Sequence, residues 1–408
     1  RQRQMCIRDS FRAYHPLQTI INPERDNDFI NTLLTVYDQG GALPKWELVA
    51  NYTGTMIGYH SVPVIVDAYF KGIRDFDIEK AYKAMVESAG YKTDGILFPS
   101  ENIQQKLMPL ARKYNEELGY IPSDMESRSV SKALEYAYND WCIAQMALEL
   151  GKTDDYDRFM ERSGRYANYY DAASGFMRGK NKDGTWVEPF DPRFSRHGGH
   201  SDYTEGNAYQ WSWFVPHDVE GLVDLMGGSD VFAEKLDTLF NTSSEIKGEE
   251  ASADITGLIG QYAHGNEPSH HITHMYNYVG QGWKTQELTH EIMSELYFND
   301  PNGLSGNEDC GQMSAWYVLN AMGFYSFCPG EPVYSIGRPI FDKVEINLPN
   351  GEVLTVIATN NSRENLYLQS AKLNSEQLTN AFFTHDELLG GGTLEFEMGA
   401  TANRDLFK

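Results

Sequence analysis

The sequence predicts a mainly helical fold, an α/α toroid with a smaller C-terminal β-sandwich portion. From residue 11 to about residue 325 the sequence shows one helical segment after another, with no strand-rich stretch between them. Several connections are long, as from residue 178 to residue 206, whereas helices of a simple bundle are joined by about 2–8 residues. After about residue 330 apolar and polar residues alternate with period two, which is typical of strands.

The clearest helix is predicted over residues 129–150, where Val130, Leu134 and Trp141 lie on one stripe and Gly151 supplies a stop. The other predicted helices cover residues 27–38, 60–72, 77–89, 101–116, 154–171, 217–227, 230–241, 269–279, 286–297 and 312–322, the last ending at Gly323. The sequence shows no repeat with a period of about 20–50 residues, which argues against a solenoid.

A β-hairpin is predicted over residues 344–357, with Pro-Asn-Gly at 349–351 as its turn. Residues 365–368 and 393–397 continue the alternating pattern. We therefore expect a helical catalytic domain over residues 11–330 and a β-strand region, a partial β-sandwich, over residues 331–408. Residues 1–10 resemble translated sequencing-adapter read-through, so we expect them to be a non-native N-terminus.

The formal net charge of −24 argues against nucleic acid and anionic membranes as partners, because both require a basic surface. The sequence contains no run of about 18 apolar residues, so no membrane span is predicted. The four cysteines are scattered without CxxC spacing, which indicates neither a zinc site nor a disulfide framework. The charge instead favours a neutral ligand or a cation held by carboxylates.

Three polar loops precede predicted helices, and each places a carboxylate near a glycine: residues 202–207, 264–271 and 306–312. Such a carboxylate could simply cap a helix. Clustered oxygen ligands also suit Ca²⁺, and paired carboxylates suit a glycosidase. His270, His271 and His274 could suggest zinc, but the HExxH order is absent, and packing or sugar-hydroxyl contacts are the alternative.

These segments, with Leu-Pro-Lys-Trp at 43–46, Glu-Tyr-Ala-Tyr-Asn-Asp-Trp at 135–141 and Asn-Glu-Asp-Cys-Gly-Gln-Met-Ser at 307–314, resemble glycoside hydrolase family 92, the calcium-dependent exo-α-mannosidases. The resemblance implies an (α/α)₆ barrel, and it implies that an N-terminal β-sandwich domain of the parent chain is missing. It further implies a periplasmic or secreted enzyme that hydrolyses terminal α-mannosyl residues of N-glycans or mannans with inversion, assisted by Ca²⁺.

By the same resemblance, Glu205 matches the general acid and Asp309 the general base, while Asn266 and Glu267 are expected to serve the metal. The expected substrate-binding residues are Trp46, His60, Asp67, His264, Asn307 and Glu308. Taken from the sequence alone, Trp46 could equally lie in a surface turn, and His60 and Asp67 could form a buried core pair.

The chain departs from the family at one place: Arg8-Asp9-Ser10 stands where the family has Trp-Asp-Thr, and Asp9 matches a sugar-contacting Asp. Alternative functions are another (α/α)₆ glycosidase, a mannosyl-phosphate hydrolase or a carbohydrate-binding fragment with impaired catalysis. A phosphate leaving group needs no proton, so a Gln would be expected in place of Glu205 in the second case.

Overall fold

The computed structural model describes residues 5–48, 51–96 and 105–408. Its longer α-helices are Tyr14–Ile21, Pro23–Gly40, Ser61–Phe70, Ile78–Ala89, Leu110–Leu118, Ser129–Glu149, Thr153–Ser163, Val219–Met226, Ser229–Asn241, Gly282–Glu295 and Gln312–Met322. Most helices that follow one another in this order pack together, and the last of them contacts the first, Tyr14–Ile21. The helices therefore close into a ring, and the predicted mainly helical toroid is confirmed.

The central helix Ser129–Glu149 is buried on most of its surface and packs against Ser61–Phe70, Ile78–Ala89 and Thr153–Ser163. Its Val130 and Leu134 are fully buried, as the predicted stripe requires, and Gly151 follows it with a φ of 69°. A left-handed φ costs glycine little, so the helix ends where the sequence indicated.

Three helical predictions differ from the structure. Tyr14–Ile21 was not predicted, although its Pro16 lies in the first turn, where proline is tolerated. Residues 269–279 form the 3₁₀ segments Glu267–Ser269 and Ile272–Val279 instead of an α-helix. The predicted helix over 154–171 becomes 3₁₀ at Gly164–Tyr169, and part of the one over 101–116 lies outside the described residues.

The C-terminal portion contains a five-stranded sheet in the order Lys343–Asn347, Val353–Thr359, Gly392–Gly399, Tyr367–Leu373 and Glu376–Gln377. The first two strands are antiparallel and form the predicted hairpin, whereas Val353–Thr359 and Gly392–Gly399 are parallel. A second sheet has the order Phe382–Thr384, Val333–Ile336 and Phe324–Tyr325. The predicted β portion is thus confirmed.

The helical and β portions share one hydrophobic core, which continues from Trp316 in the last long helix to Leu394 and Phe396 in the large sheet. Polar contacts also join them, since the backbone N–H of Leu368 donates to Gln286 Oε1 at 3.0 Å. The domain boundary at residue 330 stays a prediction. Within the described ranges, no helix is both long and apolar enough to cross a bilayer.

Candidate active site

Three carboxylates from distant parts of the chain meet near one end of the helical ring. Asp9, Glu267 and Asp309 each contribute an oxygen that lies within 4.8 Å of the others. Asp9 and Glu267 are buried, and Asp309 is half-buried. Three carboxylates at this separation repel one another unless protons or a cation neutralise part of their charge. The cluster is therefore a candidate cation site.

Glycines allow two of the predicted loops to approach closely enough to build this cluster. Gly306 has a φ of 78°, and a Cβ atom on it would lie 2.5 Å from the carbonyl oxygen of Gly265. Any other residue would force the two backbones apart. The contact fixes Glu267, two residues after Gly265, beside Asp309, three residues after Gly306.

Arg8 joins the predicted acid to this cluster. Its guanidinium forms ion pairs with Glu205 Oε2, with Asp9 Oδ1 at 2.5 Å and with Glu267 Oε2 at 3.4 Å. The Arg8 side chain is only 3% exposed and Glu205 is 15% exposed. Glu205 and Asp309 thus lie on the same charged site, as the sequence predicted, but a positively charged side chain that the sequence analysis did not assign lies among them.

The electrostatics of the site disfavour ionised carboxylates. Burial, followed by the charge of Asp9, raises the pKa of Asp309 from 3.8 to about 6. Burial also raises the pKa of Glu267 well above its ordinary value, and Asp9 adds to this effect. Both shifts express the same shortage of positive charge. A divalent cation would remove that shortage.

The backbone holds Glu205 in an unusual conformation. Glu205 has a φ of 50°, a left-handed value that is uncommon outside glycine and is found at functional sites more often than elsewhere. Its carbonyl oxygen accepts a hydrogen bond from Asn266 Nδ2 at 2.7 Å. On the preceding residue, the N–H of Thr204 donates to Ser131 Oγ at 2.8 Å. The residue that caps the following helix, Ala208–Trp211, is Asn207 and not Glu205.

Asp309 lies in a strained turn that Glu308 holds in place. Asp309 and Cys310 have φ values of 46° and 58°. Glu308 Oε2 accepts from the N–H of Gly311 at 2.6 Å, and its Oε1 accepts from the Ser314 hydroxyl at 2.8 Å. The Glu308 carboxylate therefore caps the helix that follows. Its contact with substrate stays a prediction.

Asn266 and Glu267, the predicted metal residues, both carry oxygens that no donor of the described residues reaches. These are Asn266 Oδ1 and Glu267 Oε1, each buried. A buried acceptor without a donor is costly, and a bound cation would satisfy it. The oxygen-only ligand set fits Ca²⁺ rather than zinc.

His60 and Asp67 each have a charged partner in the buried interior. His60 Nε2 is 3.2 Å from Glu135 Oε2, and both side chains are fully buried. Glu135 Oε1 in turn accepts from Arg12 Nη2 at 2.7 Å. Asp67 accepts from Lys71 Nζ at 2.8 Å and from the N–H of Gly330 at 2.9 Å. Both residues are thus part of buried ion-pair networks, and their contact with substrate stays a prediction.

His264 is also enclosed. Tyr262 OH donates to its Nδ1 at 2.8 Å, and its Nε2 donates to Tyr297 OH at 2.7 Å. Burial lowers its pKa to about 3, so the ring is neutral at physiological pH. His264 thus packs in the interior, in the same loop that carries Asn266.

The remaining residues predicted to bind substrate are Asn307 and Trp46. Asn307 is exposed in the Asp309 loop. Trp46 is half-buried and begins the strand Trp46–Leu48, which pairs with Met5–Cys6 just before Arg8. The ring nitrogens of the zinc candidates bind protein groups: His270 Nε2 lies 2.9 Å from the His264 carbonyl oxygen, and His274 Nε2 lies 2.9 Å from Asn320 Oδ1.

The sequence analysis missed the residues that anchor the Arg8–Ser10 segment. Arg12 Nε donates to the carbonyl oxygen of Arg8 at 3.0 Å, and Gln312 Oε1 accepts from the N–H of Ala13 at 2.8 Å. Glu135 could have been found, because a carboxylate on the apolar stripe of a buried helix requires a cationic partner. Arg12 supplies that partner.

Similarity to known proteins identifies the family of this chain. The family model for the glycosyl hydrolase family 92 catalytic domain matches residues 3–400. The chain belongs to glycosyl hydrolase family 92. A family 92 α-mannosidase of Bacteroides thetaiotaomicron, solved in complex with mannoimidazole, is 38% identical with a TM-score of 0.89 over 98% of this chain and 51% of its own.

Two further relatives show similar coverage. An inverting mannosidase of Bacteroides thetaiotaomicron is 37% identical with a TM-score of 0.86, over 98% of this chain and 54% of its own. A protein of Arthroderma benhamiae described as an uncharacterized secreted glycosidase is 29% identical over 97% of this chain and 52% of its own length. The chain thus spans about half the length of these relatives. The likeness in fold supports the predicted (α/α)₆ barrel.

Proposed function

We propose that this chain is the catalytic part of a secreted or periplasmic exo-α-mannosidase, which hydrolyses terminal α-mannosyl residues of N-glycans or mannans with inversion and calcium assistance. The observation that carries the proposal is the buried cluster of Asp9, Glu267 and Asp309 beside Glu205, within a family 92 chain. Relatives described as an α-mannosidase, an inverting mannosidase and a secreted glycosidase support it.

In this mechanism Asp309 is the general base, which removes a proton from the attacking water. Burial and the charge of Asp9 raise its pKa, which makes the ionised carboxylate a stronger base. Glu205 is the general acid, which donates a proton to the departing glycosidic oxygen. An inverting enzyme separates these two carboxyl groups by about 6.5–9.5 Å, so that the water fits between the base and the sugar.

Asn266 and Glu267 would hold the calcium ion, and carboxylate oxygens of Asp9 and Asp309 lie within 4.8 Å of a Glu267 oxygen. Bound calcium would supply the positive charge that these carboxylates lack and would orient sugar hydroxyls. The buried oxygens Asn266 Oδ1 and Glu267 Oε1, which have no donor among the described residues, support this assignment.

Glu205 also bears on the alternatives. A mannosyl-phosphate hydrolase has no need of a proton donor at this position, so a carboxyl group favours plain mannosides over phosphodiesters. A carbohydrate-binding fragment without catalysis is the remaining alternative, because the chain spans about half of its relatives.

The test is hydrolysis of a dinitrophenyl α-mannoside and of an α-mannobiose by the chain, in excess calcium and after exhaustive chelation. We expect calcium-dependent release of mannose, with β-mannose as the first anomer seen by NMR. The Asp309→Asn variant serves as the inactive control. α-Mannose as the first product would contradict inversion, and binding of mannose without turnover would support the carbohydrate-binding alternative.

A further inference from the structure

The guanidinium of Arg8 lies inside the acidic site, enclosed by carboxylates. It contacts Asp9, Glu205 and Glu267, and its side chain is 3% exposed. Within the described part of the chain, Arg8 is the cation that these ion pairs bring into the Asp9–Glu267–Asp309 cluster. Among the described residues, this one guanidinium thus pairs with three carboxyl groups, and Asp309 lies beside two of them.

The site is not fully satisfied by this arginine. A guanidinium presents its donors in one plane, and here they reach Glu205 Oε2 and Glu267 Oε2. The second oxygen of Glu267 and Asn266 Oδ1 stay buried without a donor among the described residues. Side chains built around an arginine would satisfy these acceptors. Oxygens of Asp9, Glu267 and Asp309 lie within 4.8 Å of one another, which suits a cation that several of them can contact at once.

We propose that Arg8 is an internal competitor for the divalent-cation site, so that its side chain weakens calcium binding and covers the Glu205 carboxylate. This inference rests on the proposed calcium-assisted function. The guanidinium charge and the calcium ion share Glu267, and two cations around one buried carboxylate repel each other strongly where the dielectric constant is low. The Arg8 contact also keeps Glu205 Oε2 from a leaving-group oxygen.

The backbone around Arg8 does not depend on its side chain. The Arg8 carbonyl oxygen accepts from Arg12 Nε at 3.0 Å, and Arg12 is fixed by Glu135 at 2.7 Å. The next anchor is Gln312 Oε1, which accepts from the N–H of Ala13. A substitution that removes only the guanidinium should therefore leave Asp9 in the cluster.

The experiment compares calcium affinity by isothermal titration of the chelator-stripped chain with calcium chloride. Arg8→Gln removes the charge, Arg8→Trp removes it and fills the space, and Arg8→Lys keeps it. The matched control is Arg158→Gln, which removes an arginine paired with Asp155 at 2.7 Å on an exposed helix face. Melting temperatures in chelator verify that each variant is folded.

We expect the two uncharged variants to bind calcium roughly tenfold more tightly or better, since removal of a nearby like charge in a buried site has at least that effect. Arg8→Lys and Arg158→Gln should stay near the unaltered affinity. The proposal would be overturned if folded Arg8→Gln or Arg8→Trp bound calcium no more tightly than the unaltered chain. It would also be overturned if either variant bound no calcium.

Turnover of a dinitrophenyl α-mannoside, measured on the same proteins, separates this inference from the proposed function. Tighter calcium binding without hydrolysis by any variant would uphold the role of Arg8 and reject the mannosidase proposal. Calcium-dependent hydrolysis with unchanged affinity in the folded, uncharged variants would do the reverse.

Discussion

Substitution of Glu308 tests whether this carboxylate contacts the sugar or holds Asp309 in position. Its two oxygens accept from the N–H of Gly311 at 2.6 Å, from Ser314 Oγ at 2.8 Å and from the N–H of Ser314 at 3.3 Å. In Glu308→Gln the amide can still accept from Ser314, but its NH₂ group faces the N–H of Gly311. One hydrogen bond is lost, and two donors are left opposed.

Loss of that bond should lower the free energy of unfolding by about 1 kcal/mol. The larger effect should be on catalysis, because Asp309 lies in the turn that this bond closes. A displacement of about 1 Å at a reacting group can cost about 10²-fold in rate. We therefore expect kcat to fall by about 10- to 100-fold while KM changes little.

The matched control is Glu387→Gln, far along the chain. Glu387 caps a helix in the same way, since its Oε2 accepts from the N–H of Thr384 at 2.7 Å and from the Thr384 hydroxyl at 2.8 Å. Both variants should lose similar stability by urea unfolding, and only Glu308→Gln should lose turnover. If turnover is unchanged in both, Glu308 does not position Asp309. A rise in KM with kcat unchanged would instead indicate that Glu308 contacts the sugar, as the sequence predicted.

Four further results are expected. Glu205→Gln should lower turnover of mannobiose about 10²–10⁴-fold and turnover of a dinitrophenyl mannoside much less, because the dinitrophenolate leaves without needing a proton. Equal losses on the two substrates would reject Glu205 as the acid. Asp309→Asn should abolish turnover of both substrates, and retained activity on the activated one would move the base elsewhere. Because the pKa of Asp309 is raised to about 6, protons should compete with calcium at low pH. Calcium should therefore raise the melting temperature more at pH 7 than at pH 5. The same calcium effect at both pH values would contradict this. Asp67→Asn leaves Lys71 buried without its partner and should cost about 3–5 kcal/mol of stability with KM unchanged in the folded protein, whereas a raised KM would indicate sugar contact.

His60 and Asp67 show what the sequence could not predict about the site. His60 and Asp67 were placed on one helix face, and both do lie on or next to Ser61–Phe70. Spacing along a helix gives direction but not depth, because the same stripe can face a cleft or a packed neighbour. Only the tertiary structure shows that Glu135 and Lys71 bind these two residues inside the core.

The sequence by itself determined the helical ring, the β-hairpin and the loops that carry Glu205, Glu267 and Asp309. These features depend on local periodicity, on glycines at turns and on short motifs, all of which act within a few residues. Only the tertiary structure decided that Asp9, Glu267 and Asp309 share one site and that Arg8 lies among them. Apart from the Arg8–Asp9 pair, those contacts join residues more than 40 positions apart, and the mutual repulsion and burial that set their chemistry exist only once the ring has closed.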